Sequence, residues 1–369
     1  MKIVVIGTRG IPRILGGVET HCEELYPRIV ALGHEVTVIR RTPYVMDDNR
    51  MTEYRGVKLI DVYAPRKKSL EAIIHTFLGA IKARSLNPDI VHVHAVGPSI
   101  VTPFARLLGL KVVMTNHGPD YQRQKWGGLA KHVIKLGERW GTRYSNRVIV
   151  ISNVIAGILE REYGYRNPRL IFNGVNQPVR SLSRDYLDQL GLDGPYIVAL
   201  GRFVKEKGFH DLIAAYSRSG VADRFKLVIA GDSDHEDAYS VSLKKMAREH
   251  GVVLTGFIKG EKLNQIMTNA SLFVMSSYHE GLPIALLEAM SYGLDVIVSD
   301  IEANRLSALQ PADFYHVGDV DALAERIRLK CEAMTGRPRT YDLSPYNWDK
   351  IARQTVELYQ EVLSVDQSK

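Results

Sequence analysis

Short β-branched runs alternate with longer stretches whose apolar residues recur every three or four positions. In the first half the runs fall at 2–7, 35–40, 57–63, 90–94, 111–115 and 148–151. Between them, segments such as 18–32 and 153–163 carry the helical period. The pattern restarts with runs at 195–200, 226–230, 252–258, 270–275 and 295–299. Strands alternating with helices in this way predict parallel sheets covered by helices. Ligands of such sheets sit at the carboxyl ends of the strands. The last periodic segment, with Trp348, Ile351, Val356, Leu358, Tyr359 and Val362, predicts a terminal amphipathic helix.

The break between the two halves is Asn173-Gly174-Val175, followed by a polar segment at 176–194 that reads as a linker. A length of 369 residues suits two domains, each with its own core. No apolar run is long enough to span a bilayer, and the opening strand-and-turn lacks a signal-peptide pattern. Cys22 and Cys331 are the only cysteines, which fits a reducing cytoplasm. Charge is uneven. Residues 1–173 hold 26 Lys+Arg against 14 Asp+Glu, while the remainder reverses to 22 against 27. A basic first half suggests an anionic partner, such as a membrane surface or a phosphorylated acceptor. Within it, residues 65–86 place Leu70, Ile73, Ile74, Phe77 and Ile81 on one helical face, flanked by Arg66, Lys67, Lys68, Lys82 and Arg84. Such a segment either covers a sheet or lies in a membrane interface.

Candidate chemistry concentrates in 276–293, which reads as a turn and helix following a buried strand. Pro283 suits the first helical position, where its fixed φ is pre-organised and its missing N–H is no loss. The amides of Leu282, Ile284 and Ala285 then lie at a helix start, which attracts phosphate through unpartnered N–H groups and the dipole. Glu288, about one turn further in, is placed for a diol such as a ribose, and Glu280 lies in the turn facing whatever the phosphate carries. Phosphate, diol and a further hydroxyl-bearing group together describe a nucleotide sugar. Upstream, Gly201 opens a strand end, and Arg202 and Lys207 flank a short loop. Two cations converging on a diphosphate neutralise a departing nucleotide without a metal. Gly256 lets backbone approach a flat base, which Phe257 and Ile258 meet through main chain and packing.

Near the start, Gly7, Gly10, Gly16 and Gly17 form an open-backbone loop before the first helix, without the spacing of a dinucleotide fingerprint. His92, His94 and His117 lie on or just past neighbouring predicted strands. They raise a metal reading, which the absence of an acid cluster disfavours; no metal is expected. Asp232-Ser233-Asp234 has the D-x-D form of metal-dependent transferases of another fold, and is read as a solvated loop.

The string S-x-x-E-G-L-P-x-x-x-L-E-A-M-x-x-G, from Ser277 to Gly293, resembles the signature of family 4 glycosyltransferases, and the likeness extends over essentially the whole chain. The string T-R-G-I-P…G-G-x-E-T, from Thr8 to Thr20, is similar to a rhamnosyltransferase-like subgroup. The resemblance implies the α/β GT-B fold: two Rossmann-like domains facing a cleft, with the C-terminal helix crossing back to the first. Domains are then expected at 1–174 plus 346–369, binding acceptor, and at 187–340, binding donor. It implies retention of anomeric configuration and places Gly16 and Gly17 near the donor phosphates, His117 beside the donor sugar and Asp120 near the acceptor hydroxyl. Arg202 and Lys207 would hold the diphosphate and Glu288 the ribose. Glu280 and the amides after Gly281 would orient the sugar.

The expected activity is metal-independent transfer of a hexose or deoxyhexose. It would pass from a UDP-, dTDP- or GDP-linked donor to a glycan or lipid-linked acceptor in cell-surface polysaccharide assembly, in the cytoplasm at the inner membrane face. A GT-B epimerase or phosphorylase is the nearest rival; an epimerase would form product from donor alone. A polyanion-binding protein predicts salt-steep binding without nucleotide preference, and the chain lacks the aromatic platforms of a nucleic-acid binder.

Overall fold

The computed structural model describes residues 1–14, 16–66, 68–118, 128–233, 236–334 and 336–364. The chain divides into two compact units: unit 1, Met1–Gly174 with Pro345–Lys369, and unit 2, Val175–Ser344. The helices, in chain order, are α1 (Gly17–Ala31), α2 (Lys68–Ser85), α3 (Thr102–Leu107), α4 (Gly128–Tyr144), α5 (Asn153–Tyr163), α6 (Asp185–Gln189), α7 (Phe209–Arg218), α8 (Ala238–Glu249), α9 (Glu261–Asn269), α10 (Ile284–Ser291), α11 (Val320–Glu332) and α12 (Trp348–Ser364).

Unit 1 is built on β1 (Lys2–Ile6), β2 (Glu35–Arg41), β3 (Glu53–Tyr54), β4 (Val57–Val62), β5 (Ile90–His94), β6 (Val112–Asn116), β7 (Arg147–Val150) and β8 (Arg169–Leu170). Among the described residues the sheet order is β3-β4-β2-β1-β5-β6-β7-β8, parallel except for the β3–β4 pair. From β1 the chain winds one way to β2 and β4, then returns to add β5 on the other side. The loops after β1 and β5 therefore leave a crevice at a topological switch point, where open α/β sheets take ligands. The core strands are buried on both faces, which is why they read as near-continuous apolar runs. The last helix belongs to this unit: Trp348, Ile351, Leu358, Tyr359 and Val362 share a core with Cys22, Leu25 and Ile29 of α1.

Unit 2 carries β9 (Tyr196–Leu200), β10 (Lys226–Ala230), β11 (Val253–Gly256), β12 (Leu272–Met275), β13 (Asp295–Ser299) and β14 (Phe314–Tyr315). Their order is β11-β10-β9-β12-β13-β14, all parallel. Its switch point lies between β9 and β12, so the loops that follow these two strands are brought side by side.

Two features depart from the expected pattern. The segment 176–194 is not wholly irregular, since it contains α6. In α2, the side that turns inward is made of Glu71, His75, Thr76, Ala80 and Ala83, while Leu78 and Ile81 are exposed. Gly79 faces Ile6 and Ile39 closely, so small residues let this helix approach the sheet. Of the residues that the helical period singles out, Ile81 is exposed, Ile73 and Ile74 are half-buried, and Phe77 packs against the core.

Candidate functional site

In unit 2 the carboxyl ends of β9, β10 and β11 terminate in Gly201, Gly231 and Gly256, each with positive φ. The Gly231 amide donates to the Gly256 carbonyl at 3.0 Å and the Gly201 amide to the Ala230 carbonyl at 3.0 Å. A Cβ at Gly231 would lie 1.8 Å from the Gly201 carbonyl oxygen, so this seam closes only without side chains. The result is a strip of bare backbone at the mouth of the sheet, with the Phe257 ring exposed beside it.

The loop after β9 carries exposed Arg202 and half-buried Lys207; the loop after β12 carries Glu280. Lys207 Nζ meets Glu280 Oε1 at 2.6 Å, and Ser277 Oγ donates to the same oxygen at 2.6 Å. The two loops are stitched by main chain as well. Ser276 Oγ donates to the Lys207 carbonyl at 2.9 Å and the Tyr278 amide to the Glu206 carbonyl at 2.8 Å. Gly208, at φ +64, backs onto Ser276 so closely that a Cβ would stand 2.1 Å from its carbonyl oxygen. Lys207 and Glu280, 73 residues apart, are thus fixed together by the adjacency of β9 and β12.

Helix α10 begins at Ile284, with Pro283 as the preceding cap residue and its carbonyl accepting from Leu286 and Leu287. Pro283 therefore sits one position before the place expected from sequence. The Ile284 amide is engaged by the Leu282 carbonyl at 2.9 Å, so it is not open to a ligand as expected. The amide-rich turn Gly281–Leu282 stays at the helix start. Glu288 is half-buried, and among the described residues its carboxylate has neither a hydrogen bond nor an ion pair. Burial pushes its carboxyl up to about 7. An acid in that setting can take hydroxyl donors from a ligand.

The D-x-D stretch is partly visible. Asp232 is bound to Lys244 at 3.0 Å. Burial pulls its carboxyl up, but the Ser233 amide and Lys244 outweigh this and hold it below the usual range. Asp234 lies outside the described residues, as does Asp120.

In unit 1, Gly16 precedes α1 with φ +148, and a Cβ there would strike Glu19 Oε2 at 1.9 Å. The buried Glu19 carboxylate accepts from Thr8 Oγ1 at 3.2 Å and the Arg9 amide at 2.9 Å, so it clamps the loop after β1 onto α1. Gly17 has open space around it. This pair presents exposed backbone at a helix start, as a phosphate site requires.

The histidines form a buried polar cluster. His94 Nδ1 and His117 Nε2 are 2.9 Å apart, and Tyr26 Oη bridges His94 Nε2 and His92 Nδ1. His92 Nδ1 also meets Tyr359 Oη of α12 at 2.6 Å, and its Nε2 meets Thr115 Oγ1 at 2.7 Å. His21 of α1 packs against His117 with ring centroids 4.9 Å apart and bonds Asn173 Oδ1 at 2.7 Å. Burial, aided by neighbouring rings, holds His94 and His117 well below the ordinary imidazole value and His92 at about 3. Burial lowers His21 to about 4 against the pull of Asn173. All four rings are therefore neutral at ordinary pH, each with one donor and one acceptor nitrogen. The His117 turn is braced from behind. Asn116 Oδ1 accepts from the Gly118 amide and its Nδ2 donates to buried Glu138 of α4, which also accepts from Tyr163 of α5.

Sequence reasoning named His117, Lys207, Glu280 and Glu288, read Asn173 as part of a domain break and Tyr359 as a terminal-helix position, and passed over Glu19, His21 and Tyr26 as site residues. Polar Glu19, His21 and Tyr26, interleaved with the apolar positions of a helix, were the available signal. In Asn173-Gly174 the glycine is required because a Cβ would enter the Trp348 indole at 2.4 Å.

Two family models match successive parts of the chain: Glycosyltransferase Family 4 at residues 15–177 and Glycosyl transferases group 1 at 187–334. An uncharacterized glycosyltransferase of Methanocaldococcus jannaschii is 25% identical over 97% of this chain and 98% of its own. Sucrose-phosphate synthase from Thermosynechococcus elongatus superposes with TM-score 0.78 at 22% identity, covering 99% of both chains. HepE of Anabaena, in complex with UDP-glucose, superposes with TM-score 0.71 at 17% identity over 100% of both chains. These likenesses establish the GT-B fold. No helix among the described residues is long and apolar enough to cross a membrane.

Proposed function

The chain is a glycosyltransferase of family 4, and on that premise we propose that it moves a sugar from a nucleotide-sugar donor bound at unit 2, with retention and without a metal. The observation that carries this reading is the pairing of Lys207 with Glu280 beside a bare glycine seam and an unpaired, half-buried Glu288. Lys207 and Arg202 receive the diphosphate and stabilise the charge that grows on it as the glycosidic bond breaks. Lys207 exchanges Glu280 for phosphate oxygens, and the released carboxylate turns to the sugar hydroxyls. Glu288 accepts from the ribose. The backbone around Gly256 and Phe257 faces the base. In unit 1, His117 Nε2 pairs with His94 Nδ1. The acceptor's proton passes to the leaving phosphate, so attack occurs on the face that the nucleotide leaves.

A UDP-linked hexose is the first donor to try, since the fold neighbour HepE takes UDP-glucose. The acceptor is a glycan or lipid-linked glycan. The excess of cations in residues 1–173 and the outward Leu78 and Ile81 of α2 favour its presentation at an anionic membrane surface. The test is a thermal-shift comparison of UDP, dTDP, GDP and their sugars on the wild type and on Glu288→Ala. One nucleotide class should raise Tm by several degrees, and the variant should lose the rise. No shift with any nucleotide at millimolar concentration would refute the donor site.

A further inference from the structure

Among the described residues, His21, His94 and His117 bring ring nitrogens within 4.8 Å of one another. These side chains arrive from α1, the end of β5 and the turn after β6, so the sheet order and the docking of α1 create the cluster. The hydrogen bonds fix which nitrogens face inward. His21 Nδ1 is held by the Asn173 carbonyl oxygen at 2.7 Å. An amide oxygen only accepts, so Nδ1 carries the proton and Nε2 carries the lone pair. That Nε2 is buried and has no hydrogen-bond partner. Leaving such an atom unsatisfied is costly, and it calls for an explanation. His94 is held at Nε2 by Tyr26, which leaves Nδ1 pointing at His117 Nε2.

We propose that His21 Nε2, His94 Nδ1 and His117 Nε2 form a binding site for a divalent transition metal of the zinc class. Three imidazoles without a carboxylate are the donor set of Zn²⁺ rather than of Mg²⁺ or Ca²⁺. Two of the three rings already have the second, outward hydrogen bond that orients a metal-bound histidine: Asn173 for His21 and Tyr26 for His94. A Zn–N distance of ~2.0–2.1 Å in a tetrahedron asks the nitrogens to settle at roughly 3.3–3.4 Å from one another. The His94–His117 contact must open slightly and His21 must move inward. At the fourth position, water, hydroxide or an anionic group would complete the shell.

The proposed transfer needs no metal, so this site stands apart from the reaction itself.

The experiment uses the full chain stripped with EDTA and then dialysed. Titration with Co²⁺ should produce the intense visible bands of a tetrahedral centre, and one equivalent of Zn²⁺ should bleach them. His21→Ala should abolish the bands and weaken Zn²⁺ binding by at least about 100-fold. Tyr26→Phe, which keeps all three ligands and loses one orienting bond, should weaken binding by about 10- to 100-fold. Melting in EDTA shows whether each variant folds; where His21→Ala does not, Tyr26→Phe decides. Absence of tetrahedral bands, or Zn²⁺ affinity unchanged in the folded variants, would overturn the site. The UDP-glucose thermal shift, measured in EDTA on the same samples, reports the donor site in unit 2 separately. Failure of the metal site therefore leaves the functional reading standing.

Discussion

Glu288 offers a quantitative handle on the donor site. Burial raises its carboxyl from 4.5 to about 7. That difference corresponds to about 3 kcal/mol between the charged and neutral forms. Because the folded value lies above the unfolded one, the folded chain holds a proton that the unfolded chain releases. Its stability contribution is intact below about pH 4.5, erodes as pH rises, and is gone above about pH 7. Glu288→Gln removes the titration. The variant should match the wild type in urea unfolding at about pH 4.5 and exceed it by up to about 3 kcal/mol at about pH 8.

Ligand binding should follow from the same group. Ribose hydroxyls donate to the carboxylate and so favour its ionised form. Affinity for UDP-glucose, whose diphosphate does not titrate in this range, should then fall about tenfold per pH unit below about 7, or about 100-fold by about pH 5. Calorimetry in two buffers of different ionisation enthalpy should show proton release on binding near neutrality. Glu288→Gln should bind more weakly at high pH and show no slope. An affinity flat from about pH 5 to 8 in the wild type, or an equal slope in the variant, would refute the assignment of Glu288 to the ribose.

Other substitutions separate the remaining parts. Lys207→Ala and Arg202→Ala should each lower kcat by about 10²–10³ with the fold retained, measured by nucleotide release; near-normal turnover in either would count against the diphosphate site. EDTA should leave turnover intact and Asp234→Ala should be nearly silent, so activity lost in chelator and restored by Mn²⁺ would overturn metal-free transfer. Gly231→Ala drives a Cβ to within 1.8 Å of the Gly201 carbonyl and should cost about 1–3 kcal/mol in urea unfolding, along with nucleotide binding. Glu138→Leu strips Asn116 and Tyr163 of their shared acceptor and should cost about 1–3 kcal/mol, read as a lower Tm.

The sequence by itself determined most of the elements and marked the candidate chemistry. Strands such as Ile90–His94, Lys226–Ala230 and Asp295–Ser299 announce themselves because a parallel strand buried on both faces has no polar alternation to blur it. The Gly-Arg…Lys-Gly loop and the Glu280–Glu288 stretch stood out as candidates because glycines, cations and carboxylates cluster there at strand ends.

Tertiary structure alone decided which of these groups meet. Lys207 finds Glu280 only because β9 and β12 are neighbours in the sheet. His21 finds Asn173 across 152 residues, and His92 finds Tyr359 across 267. No local period encodes such distances, since they depend on strand order and on the last helix docking against the first. The elevated Glu288 carboxyl and the inward face of α2 are decided at the same level. Burial is a property of what packs around a residue, and the chain's own order does not contain it.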